Sequence, residues 1–479
     1  MHPATRSTCC LLSVAALAAC SDDSTLPPTA PTMGPPPGVS LAMVPDPTAH
    51  TASSGGATTV SDATSGAFSQ MSPNIAVGSA EFNLHEEGDE EFEDAFAVND
   101  PTSSHNGLGP VYDNTSCEGC HANDGRGRPP GPNEIAESFL IRISYPGRDA
   151  VTGAPNPVPG YGGQLQQRAI PGVAPEASVS IAYTEVAGTF ADGTPYSLRV
   201  PSYSFYGSYE SLSSKMLFSP RAAPMNFGLG LLEAIPEATI LAKEDPNDVN
   251  HDGISGVANR VWDAAANRTA IGRFGWKAGA PNLVQQTAGA YNGDMGVTSP
   301  LFPAESCEGD RPDCARHAPE VSSDVVVAVA RYMQTLGVPA RRNLDDAQAT
   351  QGEAIFYQVG CAACHTPTVT TATLAGVPSV TNQVIHPYTD LLVHDMGADL
   401  ADNRPDFQAN GREWRTPPLW GIGLVQTVSG HSNFLHDGRA RGLLEAVLWH
   451  GGEAKKSRDA VVGLSASARA ALVKFLESL

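Results

Sequence analysis

Apolar positions recur at helical spacing in two stretches of the chain. Val325, Ala328, Val329, Tyr332, Met333 and Leu336 fall on one face, as do Leu472, Phe475, Leu476 and Leu479. Each set predicts an amphipathic helix with one side turned to a core. Gly337 and Pro339 stop the first of them. A shorter helix is predicted from Gln351 to Val359, running into Gly360. Between Ser138 and Val200 the pattern changes. Runs such as Leu140-Ile141-Arg142-Ile143 and Ile181-Ala182-Tyr183 stand among many Gly and Pro, which predicts a few short strands and long loops. Residues 20–73 are rich in Pro, Ser, Thr, Ala and Gly and read as a disordered tether that buries no core.

The patterned segments repeat. Gly230-Leu231-Leu232-Glu233-Ala234-Ile235 is echoed by Gly442-Leu443-Leu444-Glu445-Ala446-Val447. The helix ending at Leu336 is echoed by the one ending at Leu479. Each copy lies downstream of its own Cys-x-x-Cys-His, in the same order, so the chain reads as two related units. The expected fold class is mainly α. Residues 74–340 form one cytochrome c-like domain, enlarged by loops and short strands, and residues 341–479 form the second. In the second, the terminal helix should pack on the helix leading into the motif.

The two motifs are Cys117-Glu118-Gly119-Cys120-His121 and Cys361-Ala362-Ala363-Cys364-His365. This spacing lets two thiols form thioethers to a haem while the adjacent histidine supplies the proximal iron ligand. A zinc site would need a second cysteine pair near either motif, and none is there. Two covalently bound c-type haems are therefore expected. Of the remaining cysteines, Cys307 and Cys314 bracket a short polar loop and are expected to form a disulfide, with two free thiols as the alternative.

Compartment and charge agree with this. Arg6 and the apolar run Leu11 to Ala19 read as a signal peptide over residues 1–19. Leu17-Ala18-Ala19-Cys20 looks like a lipobox, making Cys20 the lipidated residue of a lipoprotein on the periplasmic side of a bacterial membrane. An ordinary cleaved signal is the alternative. The net charge of −22 argues against nucleic acid or an anionic membrane surface as partner. It suits steering toward a basic, periplasmic electron-donor protein.

Several further motifs carry a family resemblance: Gly125-Arg126-Gly127-Arg128-Pro129-Pro130, Gly272-Arg273-Phe274-Gly275-Trp276-Lys277-Ala278, Asp294-Met295-Gly296-Val297-Thr298-Ser299, His394-Asp395-Met396-Gly397, Arg415-Thr416-Pro417-Pro418-Leu419-Trp420-Gly421 and Leu435-His436-Asp437-Gly438-Arg439. From about Asn74 onward the chain resembles the di-haem oxidoreductase family, labelled by its peroxidase relatives and also as thiol oxidoreductase. The resemblance implies kinship with bacterial di-haem cytochrome c peroxidases. In those, one haem reacts with hydrogen peroxide and the other stores and relays electrons.

The repeat suggests which haem does what. His450 lies five residues after Glu445, where relatives carry a sixth ligand, so His365 and His450 are expected to hold the second iron. His436 and His394 come next, then Met396. The corresponding residue of the first unit is Ala238, which binds no iron; His85, His105, His251 or Met295 are the alternatives. The His121 haem is therefore the expected peroxide site. Glu233, or else Glu237, is its candidate acid–base, and Arg221 a contact for a propionate or for developing negative charge. Trp276, ahead of Trp262, is the candidate stepping stone between the haems. Asp248, Asn250 and Asp252, followed by Gly253, have the spacing of half an EF-hand loop, with Asn259 at the twelfth place, and are a candidate calcium site. The leading expectation is a peroxidase-type oxidoreductase. The rivals are a two-haem electron carrier or redox sensor, and a protein-modifying oxidase.

Overall fold

Five helices of 12 to 14 residues carry the frame, and each starts at a side-chain cap. Ser79, Asn282, Ser322, Asp346 and Ser465 accept hydrogen bonds from backbone amides of the first turn. In chain order the α-helices among the described residues are α1 (Ala80–Glu93), α2 (Leu229–Glu233), α3 (Glu237–Leu241), α4 (Leu283–Met295), α5 (Ser323–Thr335), α6 (Ala347–Gln358), α7 (Val425–Ser429), α8 (Leu443–Leu448), α9 (Lys455–Val462) and α10 (Ala466–Ser478). The computed structural model describes residues 42–98, 100, 102–132, 134–306 and 319–479, all within one compact unit. The signal peptide, Cys20 and the Cys307–Cys314 pair lie outside the described residues.

The helix clamp expected at the second motif is present, and the first motif has one as well. α1 packs on α5, and α6 packs on α10. Both crossings depend on a glycine. A Cβ added at Gly88 would strike the carbonyl of Ala328 and come within 2.8 Å of the Tyr332 Cβ. At Gly352 it would strike the carbonyl of Ala471 and come within 2.8 Å of the Phe475 Cβ. Backbone-to-backbone approach this close admits no side chain.

The fold is mixed rather than mainly α, with 28% helix, 19% strand and many small sheets. The strands of the first half are longer than expected. Ser178–Thr189 and Pro195–Tyr206 form a 12-residue antiparallel hairpin, and Phe139–Arg148 pairs with Leu217–Ala222 and Pro155–Asn156. Alternation along these runs buries Phe139, Ile141 and Ile143 on one face, and that period-2 signal outweighs the Gly and Pro around it.

The tether ends sooner than expected. From residue 42 the chain is folded, with Ala49, Ala67 and Phe68 buried. Thr59–Val60 pairs with Val338–Pro339, Ser72 N donates to Thr335 O, and His50 Nδ1 lies 2.6 Å from Glu353 Oε2. A segment too polar to build a core of its own does so by borrowing surface and hydrogen-bond partners from the rest of the chain. The halves also share apolar surface. One cluster joins Phe92, Leu231 and Tyr332 of the first half to Val369, Ile385 and Trp420 of the second. The hairpin lies on the second half: Arg199 N donates to Glu445 Oε1 (2.8 Å) and Tyr203 Oη to Asp437 Oδ2 (2.7 Å), while Phe190 packs with Leu448 and Val462.

Candidate haem sites

Each Cys-x-x-Cys-His opens onto its own cavity. The one beside Cys117, Cys120 and His121 measures about 370 Å³, and the one beside Cys361, Cys364 and His365 about 200 Å³. The four cysteines are not disulfide-bonded. Burial pushes the Cys117 and Cys361 thiols up to about 12. A dithiol redox pair needs the opposite shift, so these residues suit thioether attachment better.

The histidines are held as ligands should be. His121 Nδ1 pairs with Pro224 O at 2.8 Å and His365 Nδ1 with Tyr388 O at 2.9 Å. A ring held through Nδ1–H presents a lone pair at Nε2. Burial draws both imidazoles down to about 4, keeping them neutral. Phe92 and Phe356 support the two rings, each with its centroid 6.3 Å from the histidine. Thiols, oriented imidazoles and mainly apolar walls all fit a c-type haem in each cavity.

The cavities differ on the side away from these histidines. His450 lines the second cavity, held by its Nδ1 on Ala446 O (2.8 Å) and buried enough to stay neutral. His365 is depressed first by burial and then by His450 facing it. His394 is less suited to iron than His450, because Glu453 (2.7 Å) and Asp390 (3.0 Å) occupy both its nitrogens. His436 stacks on Trp414 with centroids 3.7 Å apart. Among the described residues the first cavity has no imidazole in its walls besides His121; Met225, Met295 and Met333 supply its thioethers. His85 is hydrogen-bonded to Thr335, His105 to Glu91, and His251 is exposed on its loop.

The carboxylates expected at the first haem are not there. Glu233 lies outside the cavity wall, its oxygens taking hydrogen bonds from Gln334 Nε2 (2.7 Å) and Leu283 N (3.3 Å). Glu237 is exposed on α3. The repeat holds for the apolar positions, with Leu229 of α2 lining the first cavity as Leu443, Ala446 and Val447 of α8 line the second, but neither Glu233 nor its echo Glu445 reaches a cavity wall. Arg221 does line the first cavity, paired with Asp406 at 2.9 Å.

Trp276 borders both cavities, as do Arg126, Met225 and Arg415. Its Nε1 donates to Ala222 O at 2.8 Å, and the Arg126 guanidinium lies 5.0 Å from its ring centre. Trp262 borders neither. Arg126 and Arg415 sit in motifs quoted for the resemblance, yet nothing in their spacing marked them as a shared wall. Asp294, from another such motif, also lines the first cavity; it is half-buried, and Gln164 Nε2 bridges it to Asp113 (2.9 and 2.7 Å).

The candidate calcium loop is folded on itself. Asp248 Oδ1 accepts from Gly253 N, Asn250 Oδ1 from Asp252 N, and Asp252 Oδ1 from Ile254 N. The Lys456 amine sits on the Asp252 carbonyl. Asn259 lies elsewhere, fastened to the Lys277 and Asp406 carbonyls. Among the described residues the one gathered trio of acid, histidine and cysteine is Cys364, Asp390 and His394, whose cysteine belongs to the second motif.

Twin cavities behind two Cys-x-x-Cys-His motifs describe a di-haem protein, and comparison of the sequence supplies its kin. The chain belongs to the family described as "Di-haem oxidoreductase, putative peroxidase", whose pattern matches residues 48–479. No curated protein matches it. Among solved structures it is similar to Kuenenia stuttgartiensis hydrazine synthase, at 19% identity over 35% of this chain, with a TM-score of 0.22. It spans 59% of that protein's chain. It is also similar to a MauG-like protein associated with microbial copper homeostasis, at 14% identity over 53% of this chain and 88% of that one, with a TM-score of 0.26. Membership of a di-haem family implies two haems.

Proposed function

We propose that the protein is a periplasmic, peroxidase-type di-haem oxidoreductase, tethered through lipid on Cys20 and supplied by a basic electron-donor protein. When bound, the haem at His365 would store and relay electrons and the haem at His121 would meet hydrogen peroxide. The single observation carrying this division is the imidazole of His450 in the second cavity and the absence of any such group opposite His121. His450 would complete the ligand set at the second site and leave no room there for substrate. Thioethers such as Met295 are weaker occupants, so the first site stays open to a small oxidant. Trp276 offers an aromatic ring in the wall common to both, with Arg126 fixing its orientation. Arg221 sets a positive charge at the edge of the first cavity, positioned by Asp406 to face a propionate or an incoming oxygen anion.

The test is spectroscopic. Optical and electron paramagnetic spectra of the holoprotein, oxidised and one-electron reduced, should contain one low-spin haem in both states and one haem that responds to peroxide. His450→Ala should turn the low-spin component high-spin and leave the peroxide-responsive one in place. Two low-spin haems that ignore peroxide in every redox state would make the protein an electron carrier or sensor.

A further inference from the structure

The two helix clamps coincide ring for ring. Phe92 stands 5.2 Å from Tyr332 across the first crossing, and Phe356 stands 5.2 Å from Phe475 across the second. Both phenylalanines stand 6.3 Å from their histidine. At the second crossing a plain phenyl ring fills the space. At the first the same place is taken by a tyrosine that is 2% exposed. Its hydroxyl is therefore not required by packing, and burying it would be costly without a partner.

The partner is Asp124, three residues past His121. Tyr332 Oη donates to Asp124 Oδ2 at 2.7 Å, and Asp124 is itself 2% exposed. Asp89, half-buried on α1, faces the same phenol. Burial, opposed by the bond from Tyr332, pushes the Asp124 carboxyl up to about 7, so it takes a proton readily. Val329 and Met333, on the same helix as Tyr332, line the first cavity together with Phe92. The phenol thus lies one ring behind the haem pocket, with a proton acceptor already in hydrogen-bond contact.

We propose that Tyr332 is a redox-active tyrosine serving the His121 site. The inference rests on the peroxidase reading above. Reduction of one hydrogen peroxide to two waters takes two electrons and two protons. With haem bound, Tyr332 would supply one of those electrons to the His121 site and the donor protein, by way of the second site, the other, while both protons would come from solvent. As the phenol is oxidised, its O–H bond breaks and the proton moves along the hydrogen bond to Asp124 Oδ2. A neutral tyrosyl radical and a protonated carboxyl remain. An electron from the donor protein restores the phenol, and Asp124 returns the proton. Asp89 is the next carboxylate toward solvent. Tyr291 is the contrast: it is buried in the same core, but among the described residues its hydroxyl has no hydrogen-bond partner to take a proton.

The test uses the full-length holoprotein, mixed with one equivalent of hydrogen peroxide, frozen and examined by electron paramagnetic resonance. A tyrosyl radical is expected, identified by the change in its hyperfine pattern when the tyrosine rings are deuterated. Tyr332→Phe should abolish it; the protein should fold, since Phe475 occupies the matching place. Asp124→Asn should slow radical formation on the order of 100-fold. Tyr291→Phe should leave the signal as it is. A tyrosyl signal surviving in Tyr332→Phe overturns the proposal. So does a parent protein whose haem responds to peroxide without any tyrosyl signal. A haem spectrum that ignores peroxide overturns the peroxidase reading, and the proposal with it.

Discussion

Phe92 and Phe356 hold the same place in the two halves of the molecule, and what surrounds them could hardly differ more. In the second half the histidine is met across a small cavity by His450, two residues past the end of the short α8, which Arg199 of the hairpin braces through Glu445. In the first half the cavity is nearly twice as large and no imidazole faces His121. The neighbouring acids differ as well. Asp113 and Asp124 are pushed up to about 7, chiefly by burial. Asp437 and Glu453 are held low against burial, by His436 and Arg439 for one and by His394 for the other. A duplicated frame thus leaves the chemistry free to diverge, because the helix crossing fixes the proximal side and the insertions supply the rest.

The frame itself is the place to strike hardest. Gly88→Val and Gly352→Val should each cost about 3 kcal/mol, since a side chain at either glycine must force two helix backbones apart. Denaturant unfolding of the holoprotein measures this. If one variant is neutral, the two clamps are not equivalent.

The next effect separates the halves by pH. Asp113 has a folded pKa of about 7 against an unfolded value of about 3.9. Between those values the folded state binds more protons than the unfolded, so this contribution to stability falls as pH rises through the folded pKa. Asp437 and Glu453 act in the opposite sense, losing theirs only in acid. Raising the pH from 5 to 8 should therefore weaken the parent, and Asp113→Asn should recover about 1–2 kcal/mol of that loss. Unfolding curves at the two pH values check it; an unchanged difference would place the pH sensitivity elsewhere.

The smallest effect concerns the brace between the halves. Arg441 meets Glu185 of the hairpin at 2.8 Å, but both side chains are about half exposed. Arg441→Gln should shift stability by no more than about 0.5 kcal/mol. A loss several times larger would mean that the hairpin and α8 unfold as one unit.

Much of the frame was legible in the chain. The apolar faces of α5 and α10 follow from helical spacing, and both Cys-x-x-Cys-His motifs lie on cavities as the chemistry of their residues requires. α1 was missed because its apolar residues are sparse among acids; Gly88 and Phe92 matter only once α5 lies across them. Glu233 was misplaced because the repeated glutamate, Glu233 in α2 and Glu445 in α8, bonds neighbouring elements in both halves and lines neither cavity. His450 and Trp276 were singled out because each stood in a segment with independent meaning, one in a repeat and the other in a family motif, and both line cavities.

The sequence by itself determined where two haems are expected, which histidine follows each pair of cysteines, and that α5, α6 and α10 are helices, because covalent spacing and apolar periodicity are local properties. Only the tertiary structure decided that residues 42–73 belong to the fold, that Trp276 and Arg126 form a common wall, and that Asp124 meets Tyr332 across 208 positions of chain. Those are meetings between distant segments, set by packing and burial, and no residue carries them alone.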